Sequence, residues 1–186
     1  MNSIKKHLLW TVLCVSSITQ AFELSSPDLK NGQAISAEYY WNQMGCNGSN
    51  ESPALNWTKA PPNTRSFAIT VYDKDAPTGS GFWHYVAYDL PATTTQIQRG
   101  DLRLAQLPRG AKEGNTDLGK PGFFGPCPPP GRLHHYTWTI YALSVDKLPV
   151  DAQASPAMVG FYLWQNTLDK ASFTVTAEKK KKIFLI

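Results

Sequence analysis

The run Gly125-Pro126-Cys127-Pro128-Pro129-Pro130-Gly131 constrains this chain more than any other stretch. Each proline fixes φ and removes a backbone N–H donor. Pro126, Pro128, Pro129 and Pro130 together exclude a helix or a central strand from this region. The segment is read as a stiff, exposed loop. Directly after it, "LHHYTWTIYAL" (133–143) is aromatic, β-branched and largely apolar, which predicts a strand. A rigid loop that delivers a strand with polar first residues is a common way to build the lip of a binding site.

The same reading extends along the chain. "FELSSPDLKNGQAI" (22–35) is read as a strand and a turn, and "GCNGSNESPALNW" (45–57) as loop. A strand is predicted from Ser66 to Tyr72, stopped by the cluster Asp73, Asp75 and Pro77. "FWHYVAYDLP" (82–91) is the next strand, closed by Pro91, and residues 102–119 are expected to be irregular. Ser155 followed by Pro156 reads as an N-cap and a first helical position, so a helix is expected over 158–168. "ASFTVTAE" (171–178) is a last strand. Many strands with one late helix, and neither repeat nor linker, predict one mostly-β domain.

The first residues describe a compartment. Lys5 and Lys6 precede an apolar centre, Leu8 to Val15, and a small-residue exit, Thr19-Gln20-Ala21. This is the pattern of a secretory signal peptide, and the apolar stretch is too short to span a bilayer. Cleavage is expected after Ala21, leaving a domain over 22–178 and a tail over 179–186 in the periplasm or the medium. Cys14 is lost with the leader. An exported chain with two remaining cysteines, Cys46 and Cys127, is most simply read as having one disulfide. A pair of free buried thiols is the alternative. No Cys-x-x-Cys is present, which argues against an oxidoreductase.

The formal net charge is +4, of which Lys5 and Lys6 leave with the leader. Lys179 to Lys182 supply four more positive charges, so the body between is net acidic. No basic stripe suited to nucleic acid is distributed over it. The tail "KKKKIFLI" has two readings: a solvated end, or a peripheral contact with an anionic membrane surface through its lysines.

Three predicted strand ends carry unusual chemistry. Asp73 and Asp75 face one way if the backbone there stays extended. His84 stands among large aromatics. His134 and Tyr136 share a face that Trp138 continues, with His135 on the other side. If these ends are neighbours, carboxylates, imidazoles and a phenol converge at a rigid lip. Taken singly, each has a plainer explanation: turn-capping for either aspartate, a satisfied sheet histidine for His84 or His134, a core tyrosine for Tyr136. Imidazole and phenol donors suit a phosphate or carboxylate, and a carboxylate beside one imidazole fixes its tautomer. Two histidines and an aspartate also form a minimal metal set, but no His-x-His or His-Glu-x-x-His accompanies them. No Gly-x-Ser-x-Gly elbow is present either.

These segments resemble the phosphatidylethanolamine-binding protein family, in its small bacterial branch described as Raf kinase inhibitor-like. The resemblance rests on "CNGSNESPALNW" (46–57), "SFAITVYDKDAPTGSGFWHYVAYDLP" (66–91), "LPRG" (107–110) and "GPCPPPGRLHHYTWTIYAL" (125–143). It implies a Greek-key β-sandwich with a C-terminal helix and a small anion-binding cavity at one end. By the motifs Asp-x-Asp-Ala-Pro, Trp-His and His-x-Tyr, the pocket positions fall on Asp73, His84, His134 and Tyr136. The resemblance adds Asp75 at the floor and Gly125, Pro126 and Pro128 in one wall. The implied ligand is phosphate, another small anion or a phosphoethanolamine head group, held without turnover and without cofactor or metal. Such a pocket is expected to be too small and polar for acyl chains. A protein-binding regulator using the 125–130 lip is the alternative, and hydrolysis of phosphoesters or peptides an outside one. The chain departs from the family pattern at Lys74, where proline is usual, and in its longer basic-apolar end.

Overall fold

A computed structural model describes residues 21–103 and 105–181. The segment up to residue 20, where a leader is expected, and the tail from residue 182 lie outside the described residues. Eight strands and one α-helix follow in chain order. They are β1 (Glu23–Ser25), β2 (Leu55–Thr58), β3 (Ser66–Asp73), β4 (Phe82–Pro91), β5 (Gln96–Ile97), β6 (Lys112–Glu113), β7 (Leu133–Leu143), α1 (Pro156–Asn166) and β8 (Thr167–Glu178). The small sheet has the order β1-β2-β5 and the large one β6-β4-β3-β7-β8, with every pairing antiparallel. This is a β-sandwich with one helix near the C-terminus.

Alternation along the central strands produces three layers. Phe67, Ile69 and Val71 of β3, with Trp138 and Ile140 of β7, pack against Leu55, Trp57 and Ile97 of the small sheet. Ala68, Val86, Tyr88 and Leu143 face the other way and meet Val159 and Leu163 of α1. The helix starts where its cap predicts: Ser155 Oγ accepts from the Met158 N–H and Pro156 occupies the first turn. It ends at Asn166, two residues before the predicted end, and β8 begins at once, four residues earlier than expected. The stretch read as loop before Trp57 contains β2, and the irregular region contains β6.

The topology decides where the polar residues meet. Because β3 runs antiparallel to both β4 and β7, its C-terminal end adjoins the starts of both. Asp73 stands opposite Phe82 on one side and Tyr136 on the other. The end of the chain completes this rim. Pro130 and Lys179 form a parallel bridge, and the Gly131 N–H donates to the Lys179 carbonyl at 2.7 Å. The chain therefore stays fastened to the proline loop past the expected boundary at 178. Backbone pairing, which charge does not prevent, holds Lys179 there. No helix among the described residues is long and apolar enough to cross a membrane.

Candidate functional site

Asp73 ends β3 on its inward face, the face of Val71 and Ile69. Strand alternation places His134 and Tyr136 of β7 on that same face. His84 arrives by a different device. Val71 pairs with Tyr85 while Tyr72 pairs with Trp83, so His84 is the extra residue of a β-bulge. A bulge re-aims a side chain at a strand end. Here it lets Phe82 and His84 reach the same cavity, while Trp83 packs against Tyr72 in a tilted contact with ring centroids 4.8 Å apart.

The polar floor is buried and specifically bonded. His134 Nδ1 lies 2.7 Å from Asp73 Oδ2, with the two side chains only 5% and 3% exposed. His84 Nδ1–H donates to the Phe124 carbonyl at 2.7 Å. Both rings thus direct Nδ1 at a protein acceptor, and Nε2 of neither has a partner among the described residues. Burial holds the His84 pKa below the ordinary histidine value, outweighing the upward pull of the Phe124 carbonyl and of Asp73. The ring is neutral, and its Nε2 is an acceptor. The Tyr136 hydroxyl is fully buried and makes no hydrogen bond of ordinary geometry, with the Asp73 carboxylate and the Cys127 backbone close enough to bear on it. Burial, and then the Asp73 charge, push its pKa far up, so it stays a phenol and a donor.

Above this floor the cavity holds about 370 Å³. Its walls include Trp41, Phe82, Leu118, Phe124 and Pro77, together with Pro128, Pro129 and Pro130. They are mostly apolar, where a pocket too small and polar for acyl chains was expected. The floor is polar because the strand ends are, and the walls are apolar because loops rich in proline and aromatics close over them. Phe82 was within reach of sequence reasoning, lying two positions before His84. Trp41 and Leu118 carry no comparable signal, since they come from irregular segments remote in sequence.

Three expected positions lie elsewhere. Asp75 follows the end of β3, where extended backbone has stopped, and so does not share the Asp73 face. Its N–H donates to Asp73 Oδ1 at 2.9 Å, and its own Oδ2 accepts from the His135 backbone N–H at 2.8 Å and lies 2.6 Å from His135 Nδ1. Asp75 is therefore a partner of the outward histidine and does not line the cavity. Gly125 and Pro126 stand behind the wall. A Cβ on Gly125 would lie 2.1 Å from the Tyr39 carbonyl oxygen, so only glycine fits that crossing. The Gly125 N–H donates to Asn50 Oδ1 at 2.8 Å, and the Trp41 N–H donates to the Pro126 carbonyl at 3.0 Å. Asn50 also donates through Nδ2 to the Phe123 carbonyl at 3.0 Å, making it a brace that sequence reasoning missed. Cys46 and Cys127 are joined in a disulfide that ties the 45–57 loop to the proline wall. No cluster of three or more metal-ligating side chains is found among the described residues.

Comparison with known proteins adds a context to this geometry. The family model described as Phosphatidylethanolamine-binding protein matches residues 25–178. The chain is 42% identical over 183 residues to the UPF0098 protein YbcL of Escherichia coli, covering 95% of this chain and 100% of that one. It is 43% identical over 153 residues to YbhB of the same organism, covering 82% of this chain and 97% of that one. The crystal structure of YbcL superposes with a TM-score of 0.82, covering 86% of this chain and 99% of YbcL. A phosphatidylethanolamine-binding-protein homologue from Chlamydia trachomatis, 24% identical, shares the fold with a TM-score of 0.73 over 86% of this chain and 99% of that one.

Proposed function

The chain belongs to the phosphatidylethanolamine-binding protein family, and from that premise we propose that it is an exported binding module for a small phosphoryl or carboxyl group. The group enters the cavity floored by Asp73, His84, His134 and Tyr136. One observation carries the reading: the buried His84 and His134 rings both commit Nδ1 to a protein acceptor and leave Nε2 open where they line the cavity. A buried ring nitrogen left without a partner costs roughly 1–3 kcal/mol, so a polar ligand group is its natural partner. The open Nε2 atoms define the ligand. An acidic group that brings a proton satisfies the His84 acceptor, or passes its proton to His134, whose imidazolium then lies between the anion and Asp73. Phosphate and a phosphoethanolamine head group share this chemistry, and the apolar walls accept a carbon chain attached to either. Export is supported by the leader pattern and by the Cys46–Cys127 disulfide.

The test is titration calorimetry with inorganic phosphate, phosphoethanolamine and acetate. His84→Ala and His134→Ala are expected to weaken binding about tenfold or more, the loss of one bond to a charged partner. His135→Ala, whose ring pairs with Asp75 outside the cavity, is expected to change little. Affinity for acetate, which stays a monoanion over this range, is expected to fall as pH rises from 5.5 to 8, because imidazolium is the better donor to an anion. Equal affinities in all variants would place the ligand elsewhere, and release of a hydrolysis product from a phosphoester would replace binding with turnover.

A second reading, an inhibitor-like regulator, is favoured by the rim. Met44 is 75% exposed at a positive φ of 51°, beside the rigid proline wall, as an anchor for a protein partner would be. In that reading Met44→Ser abolishes capture of a protein partner, while His134→Ala, at the cavity floor, leaves it intact.

A further inference from the structure

The cavity has an uneven charge inventory. Asp73 brings a negative charge to the floor, and burial keeps His84 neutral. An imidazolium at His134 would only balance Asp73. A ligand with two negative charges therefore finds no net countercharge on the floor. Among the described lining residues, Lys179 is the single lysine or arginine.

Its placement is built rather than incidental. The Lys179 carbonyl accepts the Gly131 N–H at 2.7 Å, and the residue bridges to Pro130, so its Cα is fixed to the proline loop that walls the cavity. The preceding residue, Glu178, is bracketed by the Tyr40 hydroxyl, which lies 3.3 Å from its carbonyl and 3.1 Å from its N–H. The side chain is half-buried and passes over Gly45, where a Cβ would stand 3.2 Å from Nζ. No carboxylate among the described residues forms an ion pair with it. A half-buried lysine is thus fixed at the rim of the cavity, its ammonium over Gly45 and without an ion pair among the described residues.

We propose that Lys179 is the specificity-determining cation of this cavity, selecting a doubly charged phosphoryl group over a carboxylate. The proposal rests on the anion-site reading above. Its physical basis is that Coulomb attraction scales with ligand charge. One fixed ammonium lowers the free energy of a dianion about twice as much as that of a monoanion at the same distance. The loss on removing it, expressed as a ratio of affinities, is then about the square for phosphate of what it is for acetate.

Titration calorimetry at pH 7.5 with inorganic phosphate and with acetate tests this, using wild type, Lys179→Met, Lys179→Arg and His134→Ala. Lys179→Met keeps the aliphatic stem and removes the charge. It is expected to weaken phosphate roughly tenfold and acetate only about threefold, with Lys179→Arg retaining the preference. The same affinity for phosphate in Lys179→Met as in wild type overturns the proposal. Equal loss for both probes also overturns it, since packing and not charge would then be at work. If phosphate binding falls in His134→Ala but not in Lys179→Met, the site reading stands and the role of Lys179 fails. If the wild type binds neither probe, both fail together.

Discussion

Asp73 Oδ2 and His134 Nδ1 lie 2.7 Å apart across the β3–β7 pairing, both almost entirely buried. The carboxylate has a second task, since its other oxygen accepts the Asp75 N–H at 2.9 Å and turns the chain out of β3. Asp73→Ala removes both bonds and leaves a buried imidazole N–H and a turn N–H without acceptors. Each loss is worth roughly 1–3 kcal/mol, so the variant is expected to lose about 2–4 kcal/mol in chemical denaturation. A loss below 0.5 kcal/mol, on the scale of an ordinary surface change, would contradict the pairing.

His84 gives stability a pH dependence. Burial depresses its folded pKa below that of the unfolded chain, which is about 6.5. Between those two values the unfolded chain binds a proton that the folded chain does not, so stability rises with pH. The contribution is complete above about 6.5 and is lost as pH falls toward the folded value. Melting temperatures measured from pH 7.5 to 5 are expected to fall more steeply in wild type than in His84→Gln. Parallel curves would mean that the ring is not buried neutral.

The disulfide closes a loop of sequence separation 81 and contributes Cys127 to the cavity wall. Chain entropy for such a loop corresponds to a stabilisation of about 4 kcal/mol. Thiol labelling of the denatured, unreduced protein is expected to find no free thiol at Cys46 or Cys127. Reduction is expected to lower both stability and phosphate affinity, because the wall is no longer tied to the 45–57 loop. Reduced protein with unchanged phosphate affinity would show that the proline loop holds its shape without the bond.

The legible and illegible parts of the fold differ in kind. The bounds of β4 and β7 were readable because β-branched and aromatic runs end there at prolines or polar turns. The start of α1 was readable because Ser155 and Pro156 signal it locally. β2, β5 and β6 are four residues or fewer, too short for a period to emerge, and pairing alone defines them. The residue types of the floor were visible, and the family motifs pointed to Asp73, His84, His134 and Tyr136. That they converge depends on β3 lying between β4 and β7, which no local pattern states. Asp75 was set on the Asp73 face on condition that the backbone stayed extended, and β3 ends at Asp73, two residues before it. Lys179 was assigned to a tail read as either solvated or in contact with an anionic membrane, because composition cannot show that its carbonyl pairs with Gly131.

The central claim is that the floor is built for a ligand rather than for the fold, and Tyr136→Phe tests it most directly. Tyr136 is 1% exposed and lines the cavity, and its hydroxyl makes no hydrogen bond of ordinary geometry to the protein. Removing that oxygen deletes an unmet donor and leaves the ring packing in place. Melting temperature and phosphate affinity are measured on the same preparation of wild type and variant. The account predicts a melting temperature equal to or above wild type, together with phosphate affinity about tenfold or more lower. A lower melting temperature with unchanged phosphate affinity would contradict it, since the hydroxyl would then be serving the fold.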